Sequence, residues 1–303
     1  MLACPRVLRS GIHSGYTLGH HGYCIVTPKL DHVVIDTRNR IDEAVRTYLS
    51  LGFQLTDRGR HTLGSVNHLA IFETDYMEFL GFDDTAGAVR ADLLRFPVGL
   101  NGLVFATDKP EVLFGDLRER GLAVEQPIAF SRPVALADRI EDAKFRVVRL
   151  DARAVSFGRV YFCQHLTPKL VWRPKWGRHP NGALALAQVT IAAQDPASAS
   201  IIFGRVFGPN AVRQAPAGVR RLAAGAVQVD LMVPEMLTAR FGNAEPDPAG
   251  RTDYMAGLRI RTASLSQTAR VLQVAQIPGV KIESQRIIVP ASKAMNVVLE
   301  FVE

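Results

Sequence analysis

The feature that most constrains this fold is a short unit that recurs four times along the chain. Leu186-Ala187-Gln188-Val189-Thr190-Ile191 aligns without a gap on Leu30-Asp31-His32-Val33-Val34-Ile35. Each copy reads as strand, helix and three further strands, a βαβββ module. In the first, from about Leu30 to Phe82, the helix carries Ile41, Ala44, Val45, Tyr48 and Leu49 at helical spacing and stops at Gly52. Its three strands are predicted over Phe53 to Thr56, Asn67 to Phe72 and Tyr76 to Phe82. The second copy has a strand at Leu103-Val104-Phe105, a helix started by Asp108-Lys109-Pro110 and closed by Gly121, and strands near 123–130, 144–150 and 159–165. In the third, Asp195-Pro196 caps a helix that Gly208 closes, and the last strand runs from Val227 to Val233. The fourth opens at Gly257-Leu258-Arg259-Ile260, has a helix around Gln267 to Ala275, and finishes over Val297 to Phe301. With four such modules in sequence, the chain is expected to be α+β.

This organisation divides the 303 residues into four spans. Residues 1–28 hold several Gly, basic residues and His but no acidic residue, and read as a poorly packed leader. Two modules fill 29–167 and two more fill 183–303. Between them, 168–182 contains Pro168, Pro174, Pro180, Trp172 and Trp176 and reads as a linker anchored by its tryptophans. A hydrophobic content of 48% with 21% charged residues describes a globular chain. No apolar run is long enough to span a bilayer, which argues against a membrane protein. The net charge of +7 suits a small anionic substrate. Lys and Arg are spread thinly, with no basic stripe interleaved with aromatics, so nucleic acid is not the expected partner. Cys4, Cys24 and Cys163 form no metal knuckle, which fits a reducing, cytoplasmic location and leaves only a Cys4–Cys24 pair open. There is no Walker loop, no dinucleotide fingerprint and no HExxH.

The strands themselves point to the chemistry. Side chains alternate between faces, so His32 shares a face with Val34 and Asp36, and Glu78 with Tyr76 and Leu80. An imidazole and a carboxylate aimed into one cavity are half of a metal site. A carboxylate there is costly unless it is paired or coordinating. His68 is expected in the pocket wall as a proton-transfer group. Arg60 and His61, in the loop before it, are placed to meet an anionic substrate, and Tyr76 to donate a hydrogen bond to it. His179 reads as structural in its linker turn. Cys163 lacks the base-plus-orienter arrangement of a nucleophile.

Leu30 to Ile35, Leu51-Gly52-Phe53, Gly59-Arg60-His61, Asn67-His68 and Tyr76 to Leu80 together resemble the vicinal oxygen chelate superfamily, and more narrowly its glyoxalase-like domain proteins. Gln164 to Pro168, followed by Trp172, adds to the likeness. The resemblance spans about 30–303. It implies modules paired into two curved-sheet domains of the glyoxalase/bleomycin-resistance/dioxygenase type. It also implies a divalent metal (Zn, Fe, Mn or Ni) gripped by first-strand and last-strand side chains. His32 and Glu78 match that pattern. In the second module Gly102, or Asn101, takes the place of His32, and the last strand offers Gln164 or His165; with Tyr161 and Cys163 inward, His165 is the choice. Gln188 with Asp230, and Gly257 with Glu300, fill the places in the third and fourth modules.

The expected metal set is therefore His32, Glu78 and His165, and Gln188, Asp230 and Glu300 form a degenerate copy. Pairing of the first module with the fourth would bring in Glu300 instead, and a homodimer with swapped modules stays open. The implied function is a divalent-metal-dependent lyase or isomerase acting on a small metal-chelating oxygenated substrate through an enolate-type intermediate. Glu78 or His68 would move the proton. The alternatives are an extradiol-type Fe(II) ring-cleavage dioxygenase, weakened by the histidine missing from the second module, and a metal-free protein that sequesters a ligand. The family's range of chemistries means that fold alone does not choose among them.

Overall fold

Alternating apolar residues build two eight-stranded sheets in the computed structural model, which describes residues 16–18, 24–83 and 91–303. The first sheet contains β1 (Leu30–Arg38), β2 (Gly59–Arg60), β3 (Val66–Ile71), β4 (Tyr76–Gly81), β5 (Gly99–Ala106), β6 (Ile128–Ala135), β7 (Ile140–Arg149) and β8 (Arg159–His165). Their spatial order is β2-β3-β4-β1-β5-β8-β7-β6. The second contains β9 (Ala183–Ala192), β10 (Val212–Gln214), β11 (Arg220–Ala224), β12 (Val227–Met232), β13 (Tyr254–Thr262), β14 (Lys281–Ile282), β15 (Ile287–Val289) and β16 (Val298–Val302). Its order, β10-β11-β12-β9-β13-β16-β15-β14, repeats the first strand for strand. The main helices are α1 (Ile41–Ser50), α2 (Pro110–Glu119), α3 (Pro196–Phe207), α4 (Pro234–Phe241) and α5 (Leu265–Val274). Of the leader, Tyr16–Leu18 pairs with Cys24–Val26 as a separate antiparallel ribbon; the expectations for 1–15 and 19–23, Cys4 included, lie outside the described residues. No described helix is long and apolar enough to cross a membrane.

The modules pair first with second and third with fourth, within one chain. β1 runs antiparallel to β5, and β9 to β13. Glu300 therefore belongs to the second sheet, and the first-with-fourth alternative is not what the chain adopts. Helix α1 ends where Gly52 takes a φ of +82°. There Phe53 N–H bonds the Tyr48 carbonyl and Gly52 N–H that of Leu49, both at 3.0 Å, the pairing of a glycine-terminated helix.

Two strand predictions shift. Phe53 to Thr56 is not a strand, because its donors are taken elsewhere: Gln54 N–H bonds His179 Nδ1 at 2.9 Å and Thr56 N–H the Leu69 carbonyl at 2.9 Å. The predicted strands near 123–130 and 144–150 are instead one long hairpin, β6 and β7, closed where Leu136 N–H bonds the Arg139 carbonyl at 2.8 Å. Pro133 lies inside β6, which tolerates it at the end of the sheet order.

The helix-side faces of both sheets share one core. Val33, Ile35, Met77 and Phe79 of the first sheet join Val229, Leu231, Leu299 and Phe301 of the second in it. Phe105 and Phe207 meet across it at 4.7 Å, and Phe53 and Phe301 at 6.0 Å. The other face of the first sheet curls round a separate apolar lining that includes Val34, Leu69, Tyr76, Leu80 and Val104. Its two ends approach each other: Thr62, just after β2, donates its N–H to the Ser131 carbonyl of β6 at 2.9 Å. The result is nearly a barrel, with a cavity inside.

Candidate metal centre

β1 and β4 run parallel with Val34 beside Glu78 and His32 beside Tyr76. Alternation then turns His32 and Glu78 to the same, concave face, and His32 Nε2 lies 3.6 Å from Glu78 Oε2. Both are buried, at 3% and 7% exposure. The Tyr76 ring stacks on His32 with centroids 4.3 Å apart, which fixes the imidazole plane.

Asp31 stands on the other side of His32. The β1–β5 register shifts between Leu30 and His32, a bulge that frees Asp31 from strict alternation and brings its carboxylate to the His32 ring. Asp31 Oδ1 accepts from His32 Nδ1 at 2.6 Å and from His165 Nε2 at 3.0 Å. Burial pushes the Asp31 carboxyl up, but His165 and His32 outweigh it and hold the group well below the usual carboxylate range. An ionised Asp31 only accepts, so the Nδ1 nitrogen of His32 carries its proton. That leaves Nε2 facing the Glu78 carboxylate.

Glu78 is ionised as well. Burial raises its pKa, but His32, His61, the Asn67 amide and Arg132 together take it below the ordinary value. Asn67 Nδ2 donates to Glu78 Oε1 at 2.6 Å, and His61 Nε2 lies 3.9 Å from that oxygen, its Nδ1 held at 2.9 Å by Ser65 Oγ. Two electron-rich atoms facing each other across 3.6 Å in a buried site require a cation between them, either a second proton on His32 or a metal ion. The donor set thus fits a divalent metal. Asp31, His32 and His165 also each offer a ligand atom within 4.8 Å of one another. The cavity beside this cluster measures about 100 Å³ and is lined by His32, His61, Asn67, Tyr76, Glu78 and Arg132, among others.

His32, Glu78, His61 and Tyr76 thus come together. His165 reaches the cluster through Asp31, not Glu78. β5 pairs Val104 with Tyr161 of β8, as β1 pairs Val34 with Glu78, so Tyr161 holds the Glu78 place in the second module. His68 is turned away from the cavity, because Asn67 and Leu69 take the inward positions of β3; it bonds the Thr56 carbonyl through Nδ1 at 2.8 Å. Arg60 is mostly exposed and paired with Asp83. Asp31, Asn67 and Arg132 were not singled out from the sequence. Asn67 has the signal of alternation with Leu69, Arg132 lay beyond its predicted strand, and Asp31 depends on a bulge that leaves no mark in the residue pattern.

The corresponding places in the second sheet are closed by arginine. Arg221 donates Nε and Nη2 to the two oxygens of Asp230 at 2.6 Å each, and Gln188 adds a bond at 2.9 Å. Glu300 pairs with Arg240, with Arg259 at 2.7 Å and with Arg286 at 3.2 Å. Guanidinium groups neutralise both carboxylates there. The Gly102 and Gly257 places have little space for a ligand: a Cβ on Gly102 would lie 2.6 Å from the Val34 Cβ, and one on Gly257 would press on Val298.

The family model of the glyoxalase-like domain matches residues 30–207, more than half of the chain. Among solved structures, a hypothetical protein from Staphylococcus aureus is similar at 12% identity with a TM-score of 0.63, covering 90% of this chain and 98% of its own. A mutant of 4-hydroxymandelate synthase from Streptomyces coelicolor is similar at 13% identity and a TM-score of 0.56, over 91% and 92%. The Mn(II)-bound glyoxalase from Novosphingobium aromaticivorans is similar at 11% identity and a TM-score of 0.51, over 91% and 82%. These likenesses establish the fold. No curated protein matches the chain.

Proposed function

The chain belongs to the glyoxalase-like domain family of the vicinal oxygen chelate superfamily, and from that premise we propose that its first sheet is a divalent-metal-dependent enzyme centre. It acts as a lyase or isomerase on a small substrate that chelates the ion through neighbouring oxygens. One observation carries this reading: His32 Nε2 and the ionised Glu78 face each other at 3.6 Å on a cavity wall, with Asp31 fixing the opposite nitrogen of His32. His32 and Glu78 would hold the ion. Asp31 orients His32, and His165 fastens Asp31, an arrangement that raises the basicity of a ligating imidazole.

When bound, the metal supplies Lewis-acid stabilisation to an enolate-type oxyanion. The chain's own residues do the rest. Asn67 keeps one Glu78 oxygen turned toward β3, and Tyr76 keeps the His32 ring in plane. His61 Nε2, next to Glu78 and the cavity, is placed to move the substrate proton. The apolar residues of this face, Val34, Leu69, Leu80 and Val104 among them, would limit the access of bulk water.

The test is metal content by mass spectrometry on protein purified without a metal-binding tag, then reconstituted with Zn, Fe(II), Mn or Ni. About one ion per chain, lost in His32→Ala and Glu78→Gln but kept in His68→Ala, is the expected result. No ion in the wild type after reconstitution would overturn the reading in favour of a ligand-sequestering protein. Fe(II)-dependent dioxygen chemistry would use the same pair, in keeping with structural neighbours named as a mutant of 4-hydroxymandelate synthase and a fusion of a xylose isomerase-like TIM barrel with 4-hydroxyphenylpyruvate dioxygenase. Oxygen uptake during turnover separates it from the lyase or isomerase.

A further inference from the structure

Arg132 lies on β6, where the first sheet closes on itself, and lines the cavity. It is only 3% exposed, yet its Nε and Nη2 find no hydrogen-bond partner among the described residues. An arginine keeps its charge in any protein environment, and a buried charge without partners is expensive. The other cavity arginines are already engaged: Arg159 bonds Asp36 at 2.5 Å, and Arg149 lies 3.7 Å from Glu125. Room for the Arg132 stem is made by Gly59, where a Cβ would come within 2.7 Å of Arg132 Cδ. The Asn67 Oδ1 atom beside Gly59 is likewise unpartnered.

The pair of nitrogens left free is informative. Nε and Nη2 form one edge of the guanidinium, spaced to grip two oxygens of one planar anion. This chain uses the same edge elsewhere, where Arg221 holds both oxygens of Asp230. In the second sheet the carboxylate comes from the protein. In the first, Arg132 lines the cavity, and no carboxylate among the described residues bonds its Nε or Nη2.

We infer that the Nε–Nη2 edge of Arg132 docks a carboxylate of the substrate, so that the centre takes small carboxylic acids with an adjacent carbonyl or hydroxyl oxygen. This deepens the proposed function and rests on it for the second oxygen, which the metal at His32 and Glu78 would take. Arg132 shares its cavity lining with His32, Tyr76 and Glu78, so a docked carboxylate would share that cavity with the metal place. A cavity near 100 Å³ is small for a ligand site and restricts the acid to a few carbons.

The test separates the two readings. Pyruvate and its uncharged methyl ester are titrated calorimetrically into the full chain, first metal-stripped and then loaded with Mn(II). The metal-stripped titration decides on Arg132. Wild type is expected to prefer pyruvate over the ester by tenfold or more, and Arg132→Gln to bring that ratio to about one. Arg132→Lys restores charge without the two-nitrogen edge and is expected to recover only part of the preference. Equal binding of acid and ester by the wild type, or an unchanged preference in Arg132→Gln, would overturn the assignment. Mn(II) stoichiometry in the same samples reports on the metal reading alone, and is expected to be unchanged in both Arg132 variants.

Discussion

The chemistry of this centre turns on which nitrogen of His32 carries a proton, and a neighbouring residue decides it. Asp31 accepts on the Nδ1 side and is itself held ionised by His32 and His165, so Nε2 is left for the cavity. An amide in place of the carboxylate could donate as well as accept, and the fixed tautomer would be lost. Asp31→Asn should therefore weaken metal binding by roughly 10–100-fold while His32 and Glu78 remain in place. Competition titration against a chromophoric chelator measures it. An unchanged affinity would mean that Asp31 does not orient His32. At this scale, His32, Glu78 and Tyr76 were legible because alternation alone puts each on its face. Asp31 was not, because a bulge suspends alternation at just that residue. His68 misled for the complementary reason: with β3 starting at Val66, the inward positions go to Asn67 and Leu69.

Among the elements, the seam between β1 and β5 decides why a paired module offers the proposed metal place once and not twice. Val34 and Gly102 are cross-strand partners, and the Val34 side chain fills the space a Cβ on Gly102 would need. The glycine is thus a packing requirement, and the missing second histidine follows from it. Gly102→Ala is expected to cost about 1–3 kcal/mol through overpacking at a buried seam. Denaturant unfolding followed by circular dichroism would read this as a lower midpoint with an unchanged slope; a neutral substitution would show that Val34 can move aside. The order of elements was legible from the repeat, since helical spacing and closing glycines mark each module. The β6–β7 hairpin was not: Pro133 interrupts a strand pattern, and only the position of β6 at the end of the sheet order makes it acceptable. Arg132, its neighbour in sequence, was missed with it.

Across the whole molecule, the two sheets are joined by more than the shared apolar core, and one polar contact makes the joint sensitive to pH. Asp75, just before β4, accepts the N–H of Leu186 in β9 at 3.0 Å, while Thr74 donates to its other oxygen at 3.1 Å. Asp75 is 2% exposed, and burial, opposed in part by these bonds, pushes its carboxyl up to about 6. A carboxyl raised above its unfolded value favours the folded state only while protonated. Its contribution is complete below about pH 4 and is lost as the pH climbs through about 6. At pH 7.5 the ionised group therefore costs up to about 3 kcal/mol, taken as an order of magnitude for a shift of this size. Asp75→Asn keeps an oxygen for Leu186 and has no charge to bury. Its melting temperature should exceed that of the wild type at pH 7.5, with the gap narrowing as the pH falls and closing near pH 4. Thermal unfolding of both proteins between pH 4 and 8 tests this directly. A gap that does not change with pH would mean that the ionised carboxylate is not what strains the joint, and that the variant acts by packing alone.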